Sequence, residues 1–144
     1  MPRTSPLRGR SVVIGLLWLS AVVTLLYWVA FFTSGDVQSS EAECYLVFER
    51  AFPAADSWLA AACVAAAEGL RRRREWAVPF GIAAGSAAVY LGCMDVLYNL
   101  ENGLYSVWSA PMAGEILINL FCLTFGPFLL VWFWKNRRGV ESVA

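Results

Sequence analysis

The eleven Lys and Arg residues of this 144-residue chain are not scattered: ten fall in three short stretches separated by long apolar runs. The stretches are Arg3, Arg8 and Arg10, then Arg71 to Arg74, then Lys135, Arg137 and Arg138. Between them lie four segments, at about 12–33, 44–70, 76–100 and 112–134, each long enough for the ~20 residues that cross a bilayer as a helix. The connections without basic clusters carry Asp36, Glu41, Glu43 and Glu101 instead. Because Lys and Arg are held on the cytoplasmic side, the alternation predicts an all-α integral membrane four-helix bundle with both termini inside.

A composition of 59% hydrophobic and 15% charged residues fits an integral membrane protein and not a soluble domain of this size. The formal net charge of zero hides a separation by side. The inner side carries ten basic residues against Glu68, Glu75 and Glu141, and the outer half carries eight acids against Arg50 alone. The outer side should attract cations and repel anions. The partners to expect are the lipid bilayer, a small-molecule or cation ligand, and further subunits in a homo- or hetero-oligomer. The short basic clusters at the lipid surface give no footing for nucleic acid. The expected location is a plasma membrane, of bacterial type, crossed several times.

The first apolar run follows a basic start as a secretory signal does, but its length of about 21 residues exceeds the ~7 to 15 of a signal core, so it reads as a retained helix. The second segment is longer than a span needs and should tilt or kink at Pro53. Asn102-Gly103 marks a turn before the last segment. No segment repeats another and no linker separates domains. Residues 1–144 therefore read as one four-helix transmembrane domain with short disordered tails.

Helical spacing gives the polar residues a direction. On the third segment Gly81, Gly85, Ala88, Gly92, Asp95, Asn99 and Asn102 recur at alternating steps of four and three, which places them on one face. The small residues allow another helix to approach closely, so Asp95 and Asn99 must look into the bundle with them. Val89 lies off this stripe and is expected to tolerate enlargement. The fourth segment repeats the spacing with Glu115, Asn119, Cys122 and Gly126, the second with Glu49, Asp56, Ala60, Cys63 and Ala67, and the first with the hydroxyls of Ser20, Thr24 and Tyr27. Glu49, Asp56, Asp95, Asn99, Glu115 and Asn119 are the candidate ligand-binding residues, all in the outer half.

An ionised carboxylate at the centre of a span costs ~2.5 to 3.5 kcal/mol on insertion scales. Asp56, Asp95 and Glu115 together would repel one another unless relieved by protons, water from outside, a bound cation or Arg50. The last is expected to reach Glu101, a loop acid or lipid headgroups. The amides alone would serve equally well as interhelical glue.

Absences exclude more than motifs support. The chain has no histidine, which closes imidazole metal sites and His-dependent acid–base chemistry, and Cys44, Cys63, Cys93 and Cys122 fall on no Cys-x-x-Cys spacing. No nucleophile elbow or phosphate loop is present. No cofactor is expected and no metal ligand is assigned, and any catalysis would rest on carboxylates alone. Trp28, Tyr45, Tyr105 and Trp108 are expected in the outer aromatic belt, and Trp76, Trp132 and Trp134 in the inner one.

Cys44-x-Leu46-Val47-Phe48 followed by Phe52-Pro53 resembles the second helix of the emopamil-binding and sterol-isomerase superfamily, to which the chain is also similar in helix number and in its far-side acids. The resemblance implies a four-helix membrane fold and a sterol-like ligand. The first loop is shorter than in that group, the first helix lacks an acid and the isomerase histidine has no counterpart, so no functional residue is carried over. Small multidrug exporters look different, because their essential glutamate lies in the first helix.

The expectation is an outward-facing, carboxylate- and amide-lined pocket that binds a cationic or hydrogen-bonding small ligand, in a transport component or ligand-binding module. The alternatives are a carboxylate-only membrane enzyme acting on a lipid or sterol-like substrate, and a structural or accessory subunit.

Overall fold

In a computed structural model the described residues are 9–141; Arg3, Arg8 and the outermost parts of the expected tails lie outside them. Among the described residues the chain is all-helical, without strands. It runs α1 (Arg10–Thr33), α2 (Glu43–Glu49), α3 (Phe52–Arg72), α4 (Ala77–Glu101), a 3-10 turn over Leu104–Ser106, and α5 (Ala110–Glu141). Three helices, α1, α4 and α5, are long and apolar enough to cross a membrane. α3 is long, but Asp56, Glu68 and its Arg71–Arg72 end make it less apolar than these three.

The expected second helix is two helices. α2 ends at Glu49, and α3 starts at Phe52 with Pro53 in its first turn, where the missing N–H costs nothing. The chain therefore breaks just before the proline instead of bending at it. The last helix also departs from expectation, continuing through Lys135 and Arg138 to Glu141. Ser109 opens it, its Oγ accepting from the Met112 N–H at 3.2 Å, as N-cap serines do.

Packing follows chain order: α1 lies on α3, α3 on α4 and α4 on α5. α1 has no comparable interface with α5. The stripe of small residues on α4 faces α5 as expected. A Cβ on Gly81 would overlap the Phe133 ring, and one on Gly85 would stand 2.8 Å from the Gly126 carbonyl oxygen. Val89 does not lie outside this contact. Its Cγ2 would be 2.7 Å from a Cβ on Gly126, so Val89 covers that glycine and the expectation that it tolerates enlargement is corrected.

The basic residues gather at one end. Arg10 donates from Nε and Nη2 to the Leu70 carbonyl at 3.0 and 2.7 Å, placing a cation at the C-terminus of α3 where the helix dipole favours it. α3 then closes with Arg73 in the left-handed region (φ 56°), while Arg74 N–H reaches Gly69 O at 2.8 Å and Arg73 N–H reaches Leu70 O at 3.2 Å. This is a Schellman closure, with arginine where glycine is usual. Glu68 pairs with both Arg71 and Arg72.

Candidate functional site

The end opposite the basic clusters holds most of the acids, and the break between α2 and α3 sets the first of those that face inward. Phe48 stacks on Tyr98 of α4 with centroids 3.8 Å apart and meets Phe52 edge to face at 4.8 Å. This clamps the end of α2, so that Glu49 turns inward to 5% exposure while its neighbour Arg50 stays exposed. Among the described residues Arg50 forms no ion pair, and the expected bond to Glu101 or a loop acid is not made.

Glu49, Asp95 and Glu115, from three different helices, each bring one carboxylate oxygen within 4.8 Å of the others. At such a separation and an effective dielectric near 20, two ionised carboxylates repel by about 3.5 kcal/mol. No arginine or lysine lines the cavity these acids border. Neighbouring polar groups hold part of the cluster. Asn99 donates from Nδ2 to Glu115 Oε1, and the Tyr45 hydroxyl approaches Glu115 Oε2 at 3.5 Å while accepting the Ser39 N–H at 3.2 Å. Asn99 is fully buried, and its Oδ1 has no partner.

The other candidates fall around this group. Asp56 accepts from Trp28 Nε1 at 2.9 Å, which joins α1 to α3. Asn119, almost fully buried, donates to the Tyr105 hydroxyl at 3.3 Å. Of the six candidates, Glu49, Asp56, Asp95, Glu115 and Asn119 line one cavity of about 280 Å³, and Asn99 stands behind it on Glu115. Its deeper wall is apolar, with Leu59, Leu91 and Phe121. The lining residues that are themselves exposed, Leu19 and Val23 of α1 and Leu117 and Ile118 of α5, lie where those two helices have no interface comparable to the others among the described residues. The cavity thus opens through the flank of the helices.

Reasoning from spacing missed two aromatic residues. Tyr45 is 1% exposed, and it joins the 34–42 connection to Glu115 instead of lying in an aromatic belt. Trp28 binds Asp56 and lines the cavity. An amphipathic ring suits a headgroup layer and a polar pocket equally, so type alone could not separate these roles. Tyr45 does stand four residues before Glu49, on the same helix face, and that was the available signal.

Compared with protein-family profiles, curated proteins and solved structures, the chain has no match.

Proposed function

We infer that the chain is a multi-pass membrane protein, a four-helix bundle in which α2 and α3 together make the second pass, with both termini cytoplasmic and the acids toward the outer face. Its pocket binds a cationic or hydrogen-bonding small ligand, as a transport component or ligand-binding module. The observation that carries this reading is the convergence of Glu49, Asp95 and Glu115 on a cavity without a basic side chain. Structural glue has no need of three carboxylates, and intramembrane acids are costly unless they serve a site.

Asp95→Asn preserves shape while removing one charge. Purified wild type should bind members of a panel of organic ammonium and inorganic cations, and Asp95→Asn should lose that binding while keeping its unfolding temperature in detergent within a few degrees. Absence of binding by the wild type across the panel would return the acids to a structural role.

One observation favours a second reading, a carboxylate-only enzyme acting on a lipid or sterol-like substrate. The cavity mouth is rimmed by Leu19, Val23, Leu117 and Ile118, at a depth where a spanning protein meets acyl chains. Incubation with extracted membrane lipids, followed by mass spectrometry, should reveal a product that depends on Asp95 and Glu115 if this reading holds.

A further inference from the structure

The carboxylate group and the amide behind it have a more specific chemistry than attraction for positive charge. Glu49, Asp95 and Glu115 present one oxygen each within 4.8 Å of one another, and these come from α2, α4 and α5, so the arrangement is made by packing and not by a local loop. Asn99 adds a separate observation. Its side chain is aimed at the group, since Nδ2 lies on Glu115 Oε1. Yet Oδ1 is buried without a donor, a state that protein interiors seldom leave uncompensated. Half a turn about χ2 would exchange Nδ2 for Oδ1 beside Glu115, an orientation satisfied by a cation between them or by a proton on the carboxyl. Glu49 likewise makes no hydrogen bond or ion pair among the described residues while being 5% exposed.

We propose that Glu49, Asp95, Glu115 and the Asn99 amide oxygen form a binding site for a hard divalent cation of calcium size. This rests on the pocket reading above and names the ligand of its polar end. The donors are all oxygen, which selects hard ions over zinc or copper. Three oxygens within 4.8 Å of one another need only small side-chain shifts to close on an ion at the calcium–oxygen distance of about 2.3 to 2.6 Å. Magnesium, at about 2.0 to 2.1 Å, needs a stricter octahedron and gives up its waters reluctantly, so carboxylates brought together from three separate helices suit it less. Calcium's six to eight positions exceed three carboxylates and an amide, and the cavity that Glu49, Asp95 and Glu115 line gives water access to the rest. Trp28 and Tyr27, on the cavity wall, and Tyr45, against Glu115, lie close enough to report on an ion held there.

The full-length protein in phosphatidylcholine nanodiscs, stripped of metal, is titrated with Ca2+, Mg2+ and Tb3+, and separately with tetramethylammonium. Calcium should raise the unfolding temperature progressively, with the logarithm of its concentration above the dissociation constant, and magnesium should bind at least about tenfold more weakly. Terbium, of similar size, should show emission sensitised by excitation of the aromatic residues and displaced by calcium. Asp95→Asn and Glu115→Gln should each weaken calcium binding by roughly tenfold or more, since affinity follows ligand charge. Glu43→Gln, an exposed acid of the same end, should leave it unchanged. If either site variant fails to fold in the absence of metal, Glu49→Gln replaces it, because Glu49 has no hydrogen bond to lose. Tetramethylammonium binding without any effect of divalent ions overturns the proposal and leaves the cation pocket standing. No response to any of these cations overturns both. Calcium binding that survives the site variants, or that Glu43→Gln abolishes, places the ion elsewhere and also overturns the proposal.

Discussion

At the scale of single residues, the acidic end of the molecule is governed by what each carboxylate is bonded to. Asp56 differs from the other acids in having an indole donor, Trp28 Nε1 at 2.9 Å. Trp28→Phe keeps most of the ring volume and leaves the carboxylate without that donor. Loss of a hydrogen bond to a charged group costs about 1.5 to 3 kcal/mol, so the variant should unfold at visibly lower temperature or denaturant. Removing both partners should cost less than removing one. Trp28→Phe combined with Asp56→Leu is expected to recover much of the loss, because no polar group is then left unpaired. A thermal-unfolding cycle over the four proteins measures this, and strictly additive losses would show that the bond contributes nothing.

Among the helices, the decisive contact is α4 against α5, made by glycine facing glycine. Gly85→Leu would drive a branched side chain into the Gly126 carbonyl and Leu129, where overpacking costs about 1 to 3 kcal/mol or more. Because Asp95 and Glu115 stand on the same two helices, the displacement should also weaken ligand binding. Ser86→Leu, one residue along and exposed, is the suitable comparison and should unfold close to wild type; Val89 cannot serve, since it covers Gly126. Equal unfolding temperatures for Gly85→Leu and Ser86→Leu in detergent would mean that this crossing does not support the fold.

For the whole molecule the arrangement to test is its orientation. Arg10, Arg71 to Arg74 and the end of α5 share one end, whereas Cys44, exposed at the start of α2, belongs to the other. On the positive-inside rule, an impermeant thiol reagent applied to intact cells should label Cys44. Cys63 is buried, and Cys93, although exposed, lies within α4, a helix long and apolar enough to cross the membrane, so neither should react. A reporter fused after Ala144 should score as cytoplasmic in the same cells. Labelling of Cys44 only after the membrane is broken, with an external reporter, would reverse the orientation.

Charge spacing and apolar length in the sequence were enough for the all-helical class, for three of the four expected spans as helices able to cross a membrane, and for the face of α4 on which Asp95 and Asn99 lie. Each of these depends on periodicity and on the partition of side chains between water and lipid, both written locally along the chain. The break at Arg50 and Ala51 was half legible: Pro53 announced an irregularity, but whether a helix kinks or starts anew depends on what clamps the preceding turn, here Phe48 on Tyr98. Spacing could aim Glu49, Asp95 and Glu115 inward without saying that their oxygens would meet. Nor could it show Tyr45 buried on Glu115, or the opening between α1 and α5. Those are relations between residues far apart in sequence, set by how close the glycines let the helices come and by which helix pair is left without an interface, and only tertiary packing decides them.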